Sequence, residues 1–223
     1  MWYTIHLDQY QSNSLFVVCL KLLTLISVVY HIPARVYVFG GCKLLIRAHD
    51  SVLVVIDMQE RLVPAMMAPA RTIRNARTLL QAAEKIGIPT LLTEQYPRGL
   101  GATIPEIKSV AGTSEILPKM HFSCMEDSGF AKAFKSLNRR QVVLTGMEAH
   151  ICVVQTAVGL VEEGFEVFFV SDATASRTLE NEAACLVRLS AIGVSIVTTE
   201  MVIFEWLGNA SADAFKDILT LIK

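Results

Sequence analysis

The fold of this chain is decided by the stretch Gly146-Met147-Glu148-Ala149-His150-Ile151-Cys152-Val153-Val154-Gln155-Thr156-Ala157. An apolar run with the composition of a β-strand, residues 141–145, precedes it, and apolar residues at helical spacing follow it up to Gly164. A strand that turns directly into a helix places the turn at the carboxyl edge of a sheet, where ligands of α/β proteins usually bind. The stretch therefore predicts an α/β fold with a candidate site at this turn.

Cys152 lies in this turn and is the first candidate for chemistry. A cysteine in the first turn of a helix feels the positive end of the helix dipole and unpaired amide hydrogens, and both favour the thiolate over the thiol. The same amides could hold a developing oxyanion. The alternative is that Cys152 is a small buried apolar residue, which is the commoner role of a lone cysteine. Its position alone leaves both interpretations open.

The composition is that of a globular chain with one sizeable core. Of its 223 residues, 52% are apolar and 18% are charged, and the formal net charge is −1. A protein without an excess of positive charge has little with which to neutralise phosphates. We therefore expect no nucleic-acid partner.

The cysteines and histidines do not form a metal-binding pattern. There are five cysteines, an odd number without CxxC spacing, which is typical of reduced thiols in a cytosol-like compartment. The five histidines show no HExxH or other paired spacing. We therefore expect no metal, no cofactor and a cytoplasmic location. The cysteines are Cys19, Cys42, Cys124, Cys152 and Cys185.

Residues 1–43 differ from the remainder and are predicted to be an extension outside the main domain, residues 44–223. Residues 14–32 are almost continuously apolar, but Lys21 interrupts them and their number is near the lower limit for a membrane span. They lack the basic region and cleavage site of a signal peptide and the Arg- and Ser-rich composition of a transit peptide. Three interpretations remain: a membrane anchor, an extra helix that covers apolar surface, or a dispensable leader from an upstream start codon. We favour the last two, so membrane association and a mitochondrial location are the less favoured expectations.

From residue 44 onward β-like and helical segments alternate, which predicts a mostly parallel central sheet covered by helices. The run 51–56 is apolar and rich in β-branched residues, as is typical of a strand buried on both faces. A polar loop at 94–101 is expected to form a wall of the ligand site. Further strands are predicted at 89–93, 165–170 and 194–197, and helices at 70–86, 128–137 and 179–192.

Two more polar residues stand where predicted strands end. Asp57 follows the run 51–56, where a carboxylate is costly unless it is paired or lies in a site, although it could instead cap the following turn. Lys119 follows the short run 116–118 and could lie beside an anion or extend to the surface, as lysines usually do. With Cys152 these residues suggest a mechanism. Lys119 would lower the pKa of the thiol, and Asp57 would accept the thiol proton and later activate water to cleave a thioester.

A family resemblance rests on the segments Val55-Ile56-Asp57-Met58-Gln59, Lys119-x-x-Phe122-Ser123 and 146–157. They are similar to the motifs of the isochorismatase-like cysteine hydrolase family. The run Thr93-Glu94-Gln95-Tyr96-Pro97-x-Gly99-Leu100-Gly101 resembles the branch of isochorismatase-domain-containing hydrolases. The resemblance covers roughly residues 45–223, and it is extended by Asp172-Ala173, Ser176-Arg177 and Thr198-Thr199-Glu200.

This resemblance implies a Rossmann-like three-layer sandwich with a central mostly parallel sheet. It also implies homo-oligomers and a catalytic triad of Asp57, Lys119 and Cys152. It further implies a cis peptide bond between Met147 and Glu148, which together with Cys152 would frame an oxyanion hole.

Two departures from the family limit what can be transferred. Nicotinamidases of the family carry an Asp-x-His…His metal cluster between the first two triad members, whereas this chain has no histidine between His49 and His121, so a metal-dependent nicotinamidase is disfavoured. Glu148-Ala149-His150 stands where many relatives have a threonine, so the substrate class cannot be transferred. Residues expected to contact a small polar or aromatic ligand, unless they serve packing or turns, are Gln59, Gln95, Tyr96, Phe122 and His150.

We therefore expect a hydrolase of a small amide or related C–N bond that acts through a thioester on Cys152. One alternative is a non-catalytic module that uses the site for a regulatory ligand or as a redox thiol. Another is an isochorismatase-type vinyl-ether hydrolase, which does not need a cysteine nucleophile. The expected partners are a small-molecule substrate and further copies of the same chain.

Overall fold

A six-stranded sheet organises residues 45–222, which are the residues that the computed structural model describes. The strands are β1 (Ser51–Ile56), β2 (Thr90–Gln95), β3 (Glu115–Lys119), β4 (Gln141–Met147), β5 (Glu166–Ala175) and β6 (Ser195–Val197). All neighbours are parallel, and the order across the sheet is β3-β2-β1-β4-β5-β6. The first strand, β1, therefore lies in the middle of the sheet. The strands β2 and β3 extend the sheet to one edge, and β4, β5 and β6 extend it to the other, as in Rossmann-type folds.

Helices cover both faces of this sheet and complete the predicted three-layer sandwich. One apolar cluster joins the sheet to α1, α7 and α8, and a second joins it to α4, α5 and α6. The helices are α1 (Pro69–Ile86), α2 (Pro97–Leu100), α3 (Pro105–Lys108), α4 (Ser128–Ser136), α5 (Val154–Glu162), α6 (Leu179–Ala191), α7 (Thr199–Leu207) and α8 (Phe215–Ile222). The α/β fold class expected from the sequence is thus confirmed.

The central strand β1 is buried along its whole length, as the sequence predicts. Leu53 and Val55 belong to the cluster on one face, whereas Val52, Val54 and Ile56 belong to the cluster on the other. This alternation follows from the two-residue period of a strand, and an apolar side chain is needed at every position because both faces are covered. Because β1 pairs with β2 on one side and β4 on the other, its carboxyl end is fixed at the middle of the sheet.

Three segments differ from the sequence prediction. The polar residues Glu94 and Gln95 belong to β2 instead of a loop, and the residues after them form the short helix α2. Strand β5 continues past the predicted end at residue 170 because it pairs again with the end of β4 after an irregularity in register. Helix α7, which lacked a clear sequence signal, follows β6 directly.

The predicted extension, residues 1–43, lies outside the described residues, so the three interpretations of it stay predictions. Among residues 45–222, no helix combines the length and the apolar character needed to cross a bilayer.

Candidate active site

A buried ion pair joins the ends of two strands at the carboxyl edge of the sheet. Asp57 follows β1 directly, and Lys119 is the last residue of β3. The Lys119 Nζ lies 2.7 Å from the Asp57 Oδ2, and both side chains are fully buried. The lysine therefore does not extend to the surface, since it reaches across the end of β2 to the carboxylate.

The remaining polar atoms of this pair are also satisfied. The Thr93 hydroxyl donates to the Asp57 Oδ1 at 2.7 Å. The Lys119 ammonium donates to the Gln95 Oε1 at 2.6 Å and approaches the backbone carbonyls of His121 and Phe122 at 3.3 Å. Because buried charges are tolerated only when they are paired and hydrogen-bonded, this network explains how two ionisable groups can sit in the protein interior.

The pKa of Lys119 is raised in this environment. Burial is the largest single influence and would lower the pKa, but the negative charge of Asp57, the hydrogen bond to Asp57 and smaller contributions from Cys124 and Cys152 together outweigh it. The ammonium form is therefore the stable one at neutral pH.

Cys152 lies in a single turn of π-helix, Ala149–Val153, between β4 and α5. Its side chain is nearly buried, with 5% of the residue exposed. The peptide bond between Met147 and Glu148 at the start of the turn is cis, and the Glu148 carbonyl accepts from the amides of Ile151 and Val153. These two hydrogen bonds connect the residues around Cys152 to Glu148 at the start of the turn.

Gly146 brings this turn close to Asp57. It has a φ of +116°, and a Cβ placed on it would collide with the backbone of Ile56, the residue before Asp57. Only glycine permits such a close approach of β4 to β1 at this conformation. The Cys152 thiol is near enough to the Asp57 carboxylate for the negative charge of Asp57 to raise the pKa of the thiol.

The pKa of the Cys152 thiol is raised above its ordinary value, contrary to the thiolate expected from the sequence. Burial is the largest cause and the Asp57 charge adds to it, whereas Lys119 opposes the shift. The helix position and Lys119 do not lower the pKa of the thiol below its ordinary value, because Lys119 is already paired with the Asp57 carboxylate. A thiolate would add a second negative charge in a buried space, so the resting group is the thiol.

The predicted ligand-contacting residues fall into two groups. Gln59 is fully buried, and its amide bonds to the backbone of Gln95 and Gly101, so it supports the β2 end instead of facing a ligand. The Gln95 side chain accepts from the Lys119 ammonium and donates to the Met120 carbonyl, so it holds Lys119 in place.

The segments next to the site carry two aromatic side chains and a histidine, Tyr96, Phe122 and His150, which we call the rim. Tyr96 and Phe122 are about half exposed, at 49% and 54%. His150 is half-buried, and its Nδ1 lies 2.8 Å from the Ser176 hydroxyl. The rim is therefore aromatic beside β2 and β3 and polar beside β4 and β5.

An additional ion pair stands beside the cysteine turn. The Arg177 Nε lies 2.7 Å from the Glu148 carboxylate, whose side chain is 9% exposed. The sequence motifs contain Arg177, but nothing in the sequence indicates this pairing. The hydroxyl partners of the site, Thr93 and Thr156, were likewise missed, because a threonine in an apolar element is usually a packing residue.

A separate cleft of about 320 Å³ opens between β5, α1, α7 and α8. Its Asp172 carboxylate caps α7 by accepting from the amide and hydroxyl of Thr199, at 2.8 and 2.9 Å. This carboxylate therefore serves the fold, and the cleft lies apart from the Asp57, Lys119 and Cys152 cluster. Across residues 45–222, no group of three or more His, Cys, Asp or Glu side chains is arranged to hold a metal ion.

Comparison with known proteins identifies the family. A family model described as the isochorismatase domain matches residues 51–201. The chain belongs to the isochorismatase-like hydrolase family. The isochorismatase domain-containing protein 1 of Danio rerio is 39% identical over 173 residues, a match that covers 78% of this chain and 61% of that protein. The chain thus spans about three-fifths of the length of this curated relative.

Solved structures share the architecture of this isochorismatase domain. The structure of the MAR1 ribonuclease from Caenorhabditis elegans is 34% identical with a TM-score of 0.76, over 80% of this chain and 92% of that one. The YcaC gene product of Escherichia coli, described as an octameric hydrolase of unknown specificity, is 24% identical with a TM-score of 0.76, over 80% and 89% of the two chains. Because the identity to the Escherichia coli protein is only 24%, this match shows a shared fold and nothing more.

Proposed function

We propose that this isochorismatase domain hydrolyses a small amide or a related C–N bond through a thioester on Cys152. The observation that carries the proposal is the buried Asp57 and Lys119 pair, 2.7 Å apart, at the sheet edge where the turn with Cys152 begins. A nucleophile, a base within hydrogen-bond reach and a third group that orients the base are the recurring parts of covalent catalysis.

The raised pKa of Cys152 assigns a specific task to Asp57. Because the resting group is the thiol, its proton moves to Asp57 as the sulfur attacks the carbonyl carbon. The C–N bond then breaks, and Asp57 gives the proton to the leaving amine. In the second half of the reaction Asp57 takes a proton from water, the water oxygen attacks the thioester, and the thiol is restored.

Two further groups support these steps. Lys119 keeps Asp57 oriented and balances its charge, with Gln95 fixing the ammonium in turn. We assign the oxyanion to backbone amides of the turn from Met147 and Glu148 to Cys152, in the manner of other preorganised amide sites. Tyr96, Phe122 and His150 at the rim favour a small polar or aromatic substrate.

Alkylation tests the nucleophile without knowledge of the substrate. The reduced full-length protein is treated with limiting iodoacetamide, and the labelled cysteine is identified by peptide mapping. We expect Cys152 to react before the other four cysteines and the Asp57→Asn variant to lose this preference. Cys185→Ser is the matched control, because it removes another buried thiol and should leave Cys152 labelling unchanged. Equal labelling of all cysteines would contradict the proposal.

A panel of small amides, one vinyl ether and one RNA tests the reaction. Turnover of an amide that is lost in Cys152→Ala supports the proposal, and a mass adduct of the acyl group on Cys152 identifies the thioester. Activity on the vinyl ether that survives Cys152→Ala would favour the isochorismatase-type reaction. The RNA is included because the Caenorhabditis elegans structure is described as a ribonuclease. The net charge of −1 and the burial of Cys152 favour a small substrate.

We also propose that the domain forms homo-oligomers in a reducing, cytosol-like compartment. Support for assembly comes from the octameric description of the Escherichia coli YcaC structure, which shares the fold. Support for the compartment comes from the free thiols Cys124, Cys152 and Cys185. Sedimentation of the full-length protein measures the assembly state, and a monomer would contradict the first part.

A further inference from the structure

A second buried thiol lies beside the candidate nucleophile and has no role in the proposed hydrolysis. Cys124 begins the short turn Cys124–Glu126 that follows β3, and it is fully buried. It belongs to the same apolar cluster as Cys152. The two residues are 28 positions apart in the sequence, and the sheet brings them to one place.

The hydroxyl of Thr156 joins the two cysteine backbones. It accepts from the Cys124 amide at 3.0 Å and donates to the Cys152 carbonyl at 2.7 Å. A single side chain therefore ties the backbone at Cys124 to the backbone at Cys152, so that the two cysteines lie in adjoining segments.

The Asp57 carboxylate is near both thiols. Burial is the larger cause of the raised pKa of the Cys124 thiol and of the Cys152 thiol, and the negative charge of Asp57 adds to both shifts. The Thr93 hydroxyl donates to the same carboxylate at 2.7 Å. The base of the proposed hydrolysis therefore lies close to both thiols.

From this arrangement we propose that Cys124 captures Cys152 in a reversible disulfide when a small hydroperoxide such as hydrogen peroxide oxidises the site. The inference rests on the proposed reactivity of Cys152. The 5% exposure of Cys152 and the complete burial of Cys124 restrict the oxidant to a small neutral molecule.

The reaction proceeds in two balanced steps. The Cys152 sulfur attacks one oxygen of the peroxide and breaks the O–O bond, while its proton passes through Asp57 to the departing hydroxide, giving Cys152 sulfenic acid and water. The Cys124 sulfur then attacks the sulfenic sulfur, and its proton leaves with the hydroxyl group as a second water. The two thiols supply the two electrons that reduce the peroxide.

Such a disulfide would inactivate the domain reversibly and protect Cys152 from further oxidation. A sulfenic acid without a neighbouring thiol proceeds to sulfinic acid, which thiol reductants do not reverse. With Cys124 in place, dithiothreitol should restore the free thiol.

The test treats the reduced full-length protein with a small excess of hydrogen peroxide, followed by alkylation under denaturing conditions and peptide mapping. In the wild type we expect a Cys124 to Cys152 linked peptide within one chain, which dithiothreitol reverses. In Cys124→Ser we expect Cys152 sulfinic acid that dithiothreitol does not reverse. Cys185→Ser removes another buried thiol and should behave as the wild type, because a serine hydroxyl can also donate to the Ala149 carbonyl that Cys185 binds at 3.2 Å. Cys124→Ala provides a second variant if the serine variant does not fold.

Several outcomes would overturn the inference. They are sulfinic acid at Cys152 of the wild type without the linked peptide, a link from Cys152 to a different cysteine, or a link between chains. Iodoacetamide labelling of the reduced wild type separates this inference from the proposed function. If Cys152 is labelled first but the disulfide does not form, only the role of Cys124 is refuted. If Cys152 is not labelled first, the proposed nucleophile itself is refuted.

Discussion

Removal of the Lys119 ammonium should destabilise the domain far more than removal of a surface lysine. Lys119→Met keeps an unbranched side chain of similar length but leaves the Asp57 carboxylate buried without its cation. Both side chains of this pair are fully buried and their atoms are 2.7 Å apart. Breaking a buried pair by removing one partner costs about 3–5 kcal/mol. We expect the upper part of this range, because Gln95 also loses its donor.

The surface provides a matched control for this substitution. Lys135 and Glu163 form an ion pair of 2.9 Å with side chains that are 55% and 39% exposed. Exposed pairs contribute roughly 0–1 kcal/mol, since water screens the charges. Lys135→Met should therefore lower the free energy of unfolding by less than about 1 kcal/mol.

The assay is urea unfolding at pH 7 and fixed protein concentration, followed by tryptophan fluorescence, with buried Trp206 as a reporter. Asp57→Asn and the double variant complete a thermodynamic cycle. Because the double variant leaves no unpaired charge, its loss should be smaller than the sum of the single losses by about 2 kcal/mol or more. If Lys119→Met costs no more than Lys135→Met, or if the losses add within about 0.5 kcal/mol, the buried pair is not coupled as described.

Four other outcomes are expected. The rate of Cys152 alkylation should change little between pH 6 and 8, since Asp57 removes the proton, and Asp57→Asn should lower it by roughly 10²–10⁴-fold. The free energy of unfolding should fall as the pH rises above 9.0. The pKa values of the buried thiols are raised in the folded chain, so above this pH the unfolded chain releases protons that the folded chain retains. Urea titrations that give the same free energy of unfolding at every alkaline pH would contradict this. Gly146→Ala should cost about 3 kcal/mol or more, because its Cβ meets backbone, whereas Gly164→Ala, with open space around it, should cost about 1 kcal/mol in the same assay. Deletion of residues 1–43 should leave the unfolding transition and Cys152 labelling unchanged, and loss of the folded state would show that the extension is part of the core.

The position of the candidate site could be predicted because parallel strands end at one edge. Asp57 and Lys119 each stand at the end of a buried strand, and Cys152 stands in the turn after a third. Strand ends can be read from apolar runs, and the topology then gathers those ends together. The sequence therefore indicated that these three residues lie at one edge of the sheet, without any information on their distances.

The chemistry of the cysteine could not be predicted in the same way. The helix position and Lys119 both favour a thiolate, but the pKa of Cys152 depends on burial and on the nearby charge of Asp57, which arise only in the folded chain. The hydrogen-bond partners of Gln59 and Gln95 could not be predicted for a similar reason. A glutamine in a polar segment can face a ligand or bond to backbone, and here the close approach of β2 and the segment after β1 decides for backbone.

Nothing in the sequence indicated the contacts that Cys124 and Thr93 make, although Thr93 opens one of the segments that carry the family resemblance. Each lies in or next to an apolar segment where a small polar side chain is an ordinary packing residue. Their importance comes from the neighbours that the fold provides, namely the carboxylate for Thr93 and the second thiol for Cys124.

Because Asp57 directly follows the central strand, the site should persist for as long as the domain stays folded. Strand β1 has a hydrogen-bonded neighbour on both sides and apolar layers above and below, so its amides should exchange with solvent only when the whole domain opens. The aromatic rim at Tyr96 and Phe122, by contrast, follows strand ends and can open locally. Variation at these two aromatic residues can therefore leave Asp57 and Lys119 in their places.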